Sequence, residues 1–202
     1  VARIMGNIFY SLGVLPSNRL LEVTRKDLVE GYVGQTATKT ARVVKRAVGG
    51  VFFIDEAYSL MGDNFGQEAT NTILPMLLDY KGKMVCIAAG YPRQWIDTNS
   101  GLESRFTKVI HFEDYNPDEL AQIFRMKAKK DKLTLTPEAE NAMRVYFTDL
   151  YNRRERNFAN AREVNNYFDR VKKNQSSRLR HEMERPDFDP ASYSILLPED
   201  MG

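Results

Sequence analysis

The sequence predicts an α/β protein in which a parallel sheet flanked by helices is followed by a smaller, all-helical region. In the first 114 residues, short apolar runs of strand length alternate with stretches of helical period, the order typical of a doubly wound parallel sheet. After Asp114 the strand signals stop and only helical periods follow. We therefore expect an α/β region at 1–114, a helical region at 115–185 and a surface tail at 186–202.

The elements predicted in the first region follow from apolar periodicity and from glycines that end helices. Gly13 and the pair Gly49-Gly50 follow helical stretches, where glycine supplies the left-handed conformation of a helix end. Pro75 falls inside a helical period and should kink that helix or shift its start. The predicted order is helix 1–13, strand 20–23, helix 38–48, strand 51–54, helix 68–80, strand 84–89 and strand 109–112.

Three helices are predicted in the second region. The first begins at Pro117, and the second has Thr136 as its cap and Pro137 at its first position. In the third, the apolar residues are spaced i, i+3, i+4 and i+7, which places on one face Val164, Tyr167, Phe168 and Val171. Residues 186–202 contain three prolines and scattered aromatics, so we expect a tail lying on the surface.

Composition sets broad bounds on function. The 202 residues suffice for one large domain, or for a domain plus a small lid, and the net charge of +2 does not favour a nucleic-acid or membrane partner. A single cysteine, Cys86, lies within an apolar run, which excludes a disulfide framework and predicts a reducing, cytoplasmic location. No apolar run approaches the roughly 18 residues of a membrane span. The first residues, which lack an initiator Met, have no signal-peptide layout.

The most informative run is four apolar residues followed directly by Asp55 and Glu56. Such a run is typical of a strand buried on both faces, and its carboxyl end is where open α/β sheets bind ligands. In P-loop nucleotide hydrolases the first acid at this place holds Mg²⁺, and a nearby group orients the attacking water. The alternative is a strand that simply runs into a solvated acidic turn.

Five motifs in a fixed order carry a family resemblance. They are Gly31-Tyr32-Val33-Gly34, VFFIDEAYSL, AAGYP, NSGLESRF and NFANAREVNNYF. From residue 1 to about residue 175 the chain resembles the AAA+ ATPases of the red-type Rubisco activase and stage V sporulation protein K group. The resemblance implies a P-loop sheet, a helical lid and a homo-oligomeric, hexameric ring with ATP and Mg²⁺ sites between neighbours. It also implies remodelling or threading of a protein substrate.

The resemblance assigns roles at the nucleotide. It implies that Asp55 is the Walker B magnesium ligand, that Glu56 is the catalytic base, and that Arg105 is an arginine finger for the neighbouring subunit's site. A guanidinium suits that role because it stays charged and spreads its donors over the developing phosphate charge. Glu103 occupies a position where relatives often have a second arginine, so the finger depends on one residue. The alternative is a surface arginine after a turn.

Arg162 matches the sensor 2 arginine of the family, which contacts the γ-phosphate within its own subunit. The alternative is a solvated helix face, because nine basic and three acidic residues fall between Arg153 and Arg180. The same stretch is the best argument for nucleic-acid binding. Since Tyr167 and Phe168 belong to the core stripe, it lacks interleaved exposed aromatics, and we do not expect nucleic acid as a partner.

Tyr32 and Val33 resemble pore loop 1 of the family, which projects into the ring channel and grips the protein substrate. Flanking glycines give the backbone freedom, and a flat tyrosine can contact a polypeptide without selecting its sequence. The alternative is a turn between a strand and a helix with a half-buried tyrosine.

No phosphate-binding Gly-x-x-x-x-Gly-Lys-Ser/Thr loop occurs in these residues. In the family that loop comes immediately before the helix that here begins at Val1, so we expect Val1 to border the phosphate site. We expect this chain alone to bind ATP poorly, with the sheet strand before the loop absent as well. Besides an active remodelling ATPase, two alternatives stay open: an inactive AAA+ assembly module and a DNA-loading protein.

Overall fold

The computed structural model describes the chain in four stretches, residues 1–32, 34–90, 95–154 and 158–202. These residues form two units, Val1–Ile110 and His111–Gly202. The first unit contains α1 (Ala2–Ser11), β1 (Leu20–Val23), α2 (Arg25–Leu28), α3 (Thr36–Ala47), β2 (Val51–Ile54), a 3-10 turn (Ala57–Leu60), α4 (Asn64–Asp79), β3 (Val85–Ala88) and α5 (Ser100–Arg105).

The first unit is built on a parallel sheet with the strand order β1-β2-β3. In the register, Leu20 of β1 lies opposite Val51 of β2, which lies opposite Val85 of β3. The central strand β2 is buried at three of its four residues, whereas all four residues of β3 are half-buried. A continuous apolar run therefore forms the middle strand, as its lack of alternation predicts. The predicted α/β class with a parallel sheet is confirmed.

Helix α4 begins earlier than the sequence predicts. The Asp63 carboxylate accepts a hydrogen bond of 2.8 Å from the backbone N–H of Gly66 and caps the helix at Asn64. The helix then continues through Pro75 to Asp79. The predicted start at residue 68 thus missed a capping aspartate five residues upstream.

The second unit contains three main helices and a small two-stranded sheet. Its elements are α6 (Pro117–Lys130), β4 (Thr134–Leu135), α7 (Pro137–Asn152), α8 (Ala161–Glu182), 3-10 turns at Pro190–Ser194 and Pro198–Met201, and β5 (Ile195–Leu196). Helix α6 starts in a capping box formed by Asn116 and Glu119, and the Thr136 hydroxyl accepts a hydrogen bond from Ala139 at the start of α7. Among the described residues of 115–185, the all-helical prediction missed the two-residue strand β4.

The prediction of a surface tail at 186–202 was wrong for its last eight residues. Strand β5 pairs with β4 in parallel, and Leu196 and Met201 are buried in the core of the second unit. The Tyr167 hydroxyl donates a hydrogen bond of 3.1 Å to the Met201 carbonyl. The apolar residues of this segment are too few to show a period, so only the folded contacts reveal that they are core residues.

The predicted fourth strand at 109–112 was also wrong. The backbone there is irregular, and the apolar side chains of Val109, Ile110 and Phe112 are more than half exposed. An apolar run forms a strand only when a neighbouring strand satisfies its backbone groups, and within the described residues no strand pairs with this segment. The local sequence has strand propensity, but the segment has no neighbouring strand to pair with among the described residues.

Candidate functional site

Asp55 and Glu56 lie at the carboxyl edge of the sheet, where backbone hydrogen bonds from both sides fix them. The Asp55 N–H donates to the Val23 carbonyl of β1 at 2.8 Å, and the Ala57 N–H donates to the Ala89 carbonyl after β3 at 3.0 Å. The two acids are thus placed between the ends of the outer strands. This edge is where open α/β sheets bind ligands.

The backbone of Glu56 has a left-handed conformation, with φ 49° and ψ 46°. This conformation costs a non-glycine residue on the order of 1–3 kcal/mol and concentrates at functional sites. Two contacts maintain it: the Glu56 N–H donates to Asp55 Oδ1 at 3.0 Å, and the Glu56 carbonyl accepts from Ser59 N–H at 2.7 Å. The turn presents the Glu56 side chain to solvent at the edge of the sheet.

Gly90 packs against this turn and was missed by the sequence analysis. Its φ is +121°, and a Cβ built on it would lie 2.8 Å from Cδ1 of Tyr58 and 3.5 Å from Cα of Glu56. Any larger residue would push the end of β3 away from the turn that holds Glu56. A glycine directly after a predicted strand was the available signal, because close backbone approach is a common reason for that position.

The carboxylate of Asp55 suits a magnesium ion that is held largely by water and phosphate oxygens. Oδ1 accepts the Glu56 N–H, and within the described residues Oδ2 accepts no hydrogen bond. The described part of the chain contains no group of three or more His, Cys, Asp or Glu side chains that could hold a metal. Mg²⁺ commonly binds one or two carboxylates together with substrate phosphates, and a single aspartate fits that pattern.

Arg105 ends α5 with its guanidinium half-buried and anchored. Nε donates to the Leu74 carbonyl of α4 at 3.0 Å, and Nη1 donates to the Gly101 carbonyl at 2.8 Å and to Ser104 Oγ at 3.1 Å. Nη2 donates no hydrogen bond to any described residue. The alternative of a simple surface arginine after a turn is therefore wrong, since the side chain ties α5 to α4.

Arg162 lies in the second unit, in the first turn of α8, and its side chain is exposed. Its backbone N–H donates to the Ala159 carbonyl at 2.9 Å. The neighbouring Asn160 has a positive φ of 50°. Its side-chain oxygen accepts a hydrogen bond of 2.8 Å from the Tyr115 N–H, and its side-chain nitrogen donates one of 2.7 Å to the Asp114 carboxylate. Asn160, which the sequence analysis missed, thus fixes the start of the helix that presents Arg162.

Tyr32 projects into solvent, with 74% of its surface exposed. It lies between Gly31 and Gly34, and Gly34 has a positive φ of 81°. The alternative of a half-buried tyrosine in this turn is therefore wrong. Val33, the second residue of the predicted pore loop, lies outside the described residues.

Val1 is at the N-cap position of α1, where its carbonyl accepts the Met5 N–H at 3.0 Å. Its side chain is exposed. Helix N-termini favour anions because their N–H groups and dipole point outward. The expectation that Val1 borders a phosphate site stays a prediction.

These features define an α/β domain of nucleotide-hydrolase type followed by a helical unit. Comparison with known families agrees, since residues 2–114 match the ATPase family associated with various cellular activities (AAA) and residues 116–202 match the AAA lid domain. The chain belongs to the AAA family. Within the described residues no helix is both long and apolar enough to cross a membrane.

Several curated proteins are similar to this chain. It is 41% identical over 187 residues to the chloroplastic ribulose bisphosphate carboxylase/oxygenase activase of Cyanidioschyzon merolae, covering 89% of this chain and 63% of that protein. It is 38% identical over 208 residues to protein CbbX of Cereibacter sphaeroides, covering 100% of this chain and 66% of that protein. The resemblance to red-type Rubisco activases is confirmed, and the chain spans under two thirds of these relatives' length.

A third curated protein and a solved structure are also similar. The chain is 43% identical over 148 residues to the ESX-1 secretion system protein EccA1 of Mycobacterium tuberculosis, covering 69% of this chain and 26% of that protein. The crystal structure of the FIGL-1 AAA domain matches with a TM-score of 0.63 at 14% identity, covering 89% of this chain and 59% of that one. The structural match supports the fold alone.

Proposed function

We propose that the protein containing this chain hydrolyses ATP and uses the energy to remodel a protein substrate in a hexameric ring. The observation that carries the proposal is the Asp55-Glu56 pair at the carboxyl end of the central strand, with Glu56 in a left-handed turn. Of the three non-glycine residues with positive φ in the described part of the chain, Glu56 alone lies at the ligand-binding edge of the sheet. Strain at this place is characteristic of residues that take part in chemistry.

In the proposed reaction the two acids have separate tasks. The free oxygen of Asp55 would hold Mg²⁺, which when bound supplies positive charge for the β- and γ-phosphates. The Glu56 carboxylate accepts a hydrogen bond from the attacking water and orients its lone pair toward the γ-phosphorus. Attack forms a bond between the water oxygen and the γ-phosphorus and breaks the bond from that phosphorus to the bridging oxygen, which leaves with ADP, while a proton of the water passes to the Glu56 carboxylate.

Five further residues have proposed roles in the ring. Arg105 would act in the neighbouring subunit's site through Nη2, while its other nitrogens keep the guanidinium anchored. Arg162 would contact the γ-phosphate within its own subunit, and Val1 would border the phosphates. Tyr32, with Val33, would contact the polypeptide in the ring channel, a role that its exposure supports. A cytoplasmic location belongs to the same proposal.

Replacing Glu56 by glutamine in the complete protein tests the enzyme assignment. Glu56→Gln keeps the size of the side chain but removes the base, so ATP binding should persist while turnover falls to background. Glu184→Gln, at an exposed position of the second unit, is the matched control and should hydrolyse ATP normally. Unchanged turnover in Glu56→Gln would overturn the role of Glu56 as the base, whereas a wild-type protein that forms rings without hydrolysis would favour the inactive assembly module.

A further inference from the structure

The outer edge of β1 is open for pairing. The Val51 N–H donates to the Arg19 carbonyl and the Asp55 N–H to the Val23 carbonyl, both at 2.8 Å, so the odd-numbered residues of β1 face β2. Alternate residues of a strand direct their amide groups to opposite sides. The N–H and C=O groups of Leu20 and Glu22 therefore point outward, and within the described residues no strand pairs with them.

A groove of about 390 Å³ lies alongside this edge, between β1, α2 and α3. Its apolar floor comes from Leu21 and Val23 of the strand and Val43 of the helix. Such a floor can accept the alternate side chains of an added strand, while the open edge supplies main-chain hydrogen bonds. This combination is the physical basis of peptide recognition by strand addition.

The walls of the groove carry unpaired positive charge. Lys26, Arg42 and Arg46 line it with exposed side chains, and none forms an ion pair with a described residue. Arg42 and Arg46 are one helical turn apart and share a face of α3. Glu22 is exposed and is the one lining acid that has no hydrogen-bonding partner among the described residues. Because three cations stand against this one acid, the groove has a net positive charge.

The other charged groups of the groove are already engaged. Lys39 Nζ donates to the carbonyls of Lys26 and Val29, both at 2.9 Å, and pairs with Glu30 at 3.2 Å. The Asp27 carboxylate accepts the N–H and the hydroxyl of Thr24 at 2.8 and 2.9 Å. These contacts fix α2 against α3, so the groove is preformed.

We propose that this edge binds an extended, acidic segment of a partner protein, which adds a strand beside β1. The segment's backbone would bond Leu20 and Glu22, and its carboxylates would face the three cations that have no ion pair with a described residue. This inference is independent of the proposed ATPase activity. Charged side chains near an edge strand also prevent aggregation, so the experiment has to separate a binding site from a protected edge.

A labelled peptide of about eight residues, alternating glutamate and valine, is a suitable probe because strands of this length are common. Fluorescence anisotropy with the whole protein should show saturable binding. Methylating the peptide's amides at alternate positions, on the side that faces β1, should weaken binding about tenfold, because it removes at least two hydrogen bonds. Arg42→Glu/Arg46→Glu should weaken it by at least about tenfold, since two attractive charges become repulsive.

Two variants keep the test decisive. Lys45→Glu, on the same helix but outside the groove, should leave binding unchanged. Glu22→Lys removes the opposing charge at an exposed position and should tighten binding, which gives an answer even where the double variant fails to fold. Absent or non-saturable binding would overturn the proposal. So would equal affinity for the methylated peptide, which means electrostatic association only, or failure of Glu22→Lys to tighten binding.

Discussion

In the second unit the carboxylate of Asp200 is buried and fully partnered, whereas in the first unit Glu56 extends from a left-handed turn into solvent. Asp200 is 1% exposed, accepts two hydrogen bonds of 2.9 Å from Arg178, and accepts the Leu197 N–H at 2.8 Å. Its ion pair with Arg178 holds the C-terminal segment against α8. The Asp200 carboxylate thus holds a segment of its own unit in place, whereas the Glu56 carboxylate is exposed at the edge of the sheet.

The apolar residues differ in the same way. In the second unit the ring of Phe124 contacts the rings of Phe147, Tyr167 and Phe168 within one buried cluster. In the first unit β3 is half-buried, and α1 has a row of exposed apolar residues at helical spacing, namely Ile4, Ile8 and Leu12. Exposed apolar faces are typical of surfaces that bind other chains. The aromatic cluster of the second unit is buried, whereas the first unit leaves the apolar row of α1 exposed.

The largest effect on ATP turnover that we expect from a residue of the first unit concerns Arg105. Arg105→Ala should lower the turnover of the complete protein by about 10³–10⁵-fold if the guanidinium stabilises the transferred phosphoryl group. Mixing it with Glu56→Gln should restore activity, because a mixed ring contains interfaces with an intact base facing an intact finger. Turnover measured against the mixing ratio checks this, and Arg180→Ala is the exposed control.

Failure of the mixture to recover activity, with both variants soluble and ring-forming, would contradict a finger that acts between subunits. A large drop in the melting temperature of Arg105→Ala would instead assign the residue to the anchoring of α5. That outcome is physically reasonable, since Nε and Nη1 already bond the carbonyls of Leu74 and Gly101. The melt and the mixing experiment therefore have to be done together.

Features encoded within a few residues were predicted well from the sequence. Strand β2 and its two acids form one continuous run, and the capped starts of α6 and α7 lie at the predicted prolines. Features that depend on distant partners were not predicted. The pairing of Arg178 with Asp200, the fit of Gly90 against Glu56 and the failure of 109–112 to form a strand each depend on elements far along the chain.

The second prediction concerns the ion pair between Arg178 and Asp200 in the second unit. Asp200→Ala should lower the free energy of unfolding of that unit by about 3 kcal/mol, because the Arg178 guanidinium loses two charge-assisted hydrogen bonds and keeps only Glu182 and the more exposed Glu199 as acidic partners. The side chain of Arg178 is only 10% exposed, and a guanidinium stays protonated even without Asp200, so its charge remains in the variant. Hydrogen exchange of the α8 amides measures the loss.

Trp95 reports on the first unit and therefore serves as a control for Asp200→Ala in the second unit. It is the chain's one tryptophan, it is buried in the first unit, and its Nε1 donates to Thr70 at 3.3 Å. Its fluorescence transition in urea should not change in Asp200→Ala. Glu199→Gln removes a mostly exposed partner of Arg178 and should cost less than about 1 kcal/mol. Equal losses in both variants would show that the pair with Asp200 is not special.

The third prediction compares two left-handed residues, Glu56 in the first unit and Lys132 in the second. Glycine adopts this conformation without strain, so each residue replaced by glycine should gain about 0.5–1 kcal/mol in the free energy of unfolding. Lys132→Gly should retain ATP turnover, whereas Glu56→Gly should lose it. Urea unfolding and turnover assays test both. Destabilisation by Glu56→Gly would mean that its side chain supports the fold, contrary to the comparison.

The smallest expected effect on stability belongs to Tyr32. Because its side chain is 74% exposed, Tyr32→Ala should change the free energy of unfolding by no more than about 0.5 kcal/mol. Basal ATP turnover should stay near wild type while remodelling of a protein substrate is lost, since a residue in the ring channel contacts polypeptide and not phosphate. Tyr32→Phe should retain remodelling, because it keeps the flat ring, and Tyr10→Ala is the control at another exposed tyrosine. A fall in the melting temperature of more than about 2–4 °C, the equivalent of 1 kcal/mol, would make Tyr32 a structural residue and leave the channel contact without support.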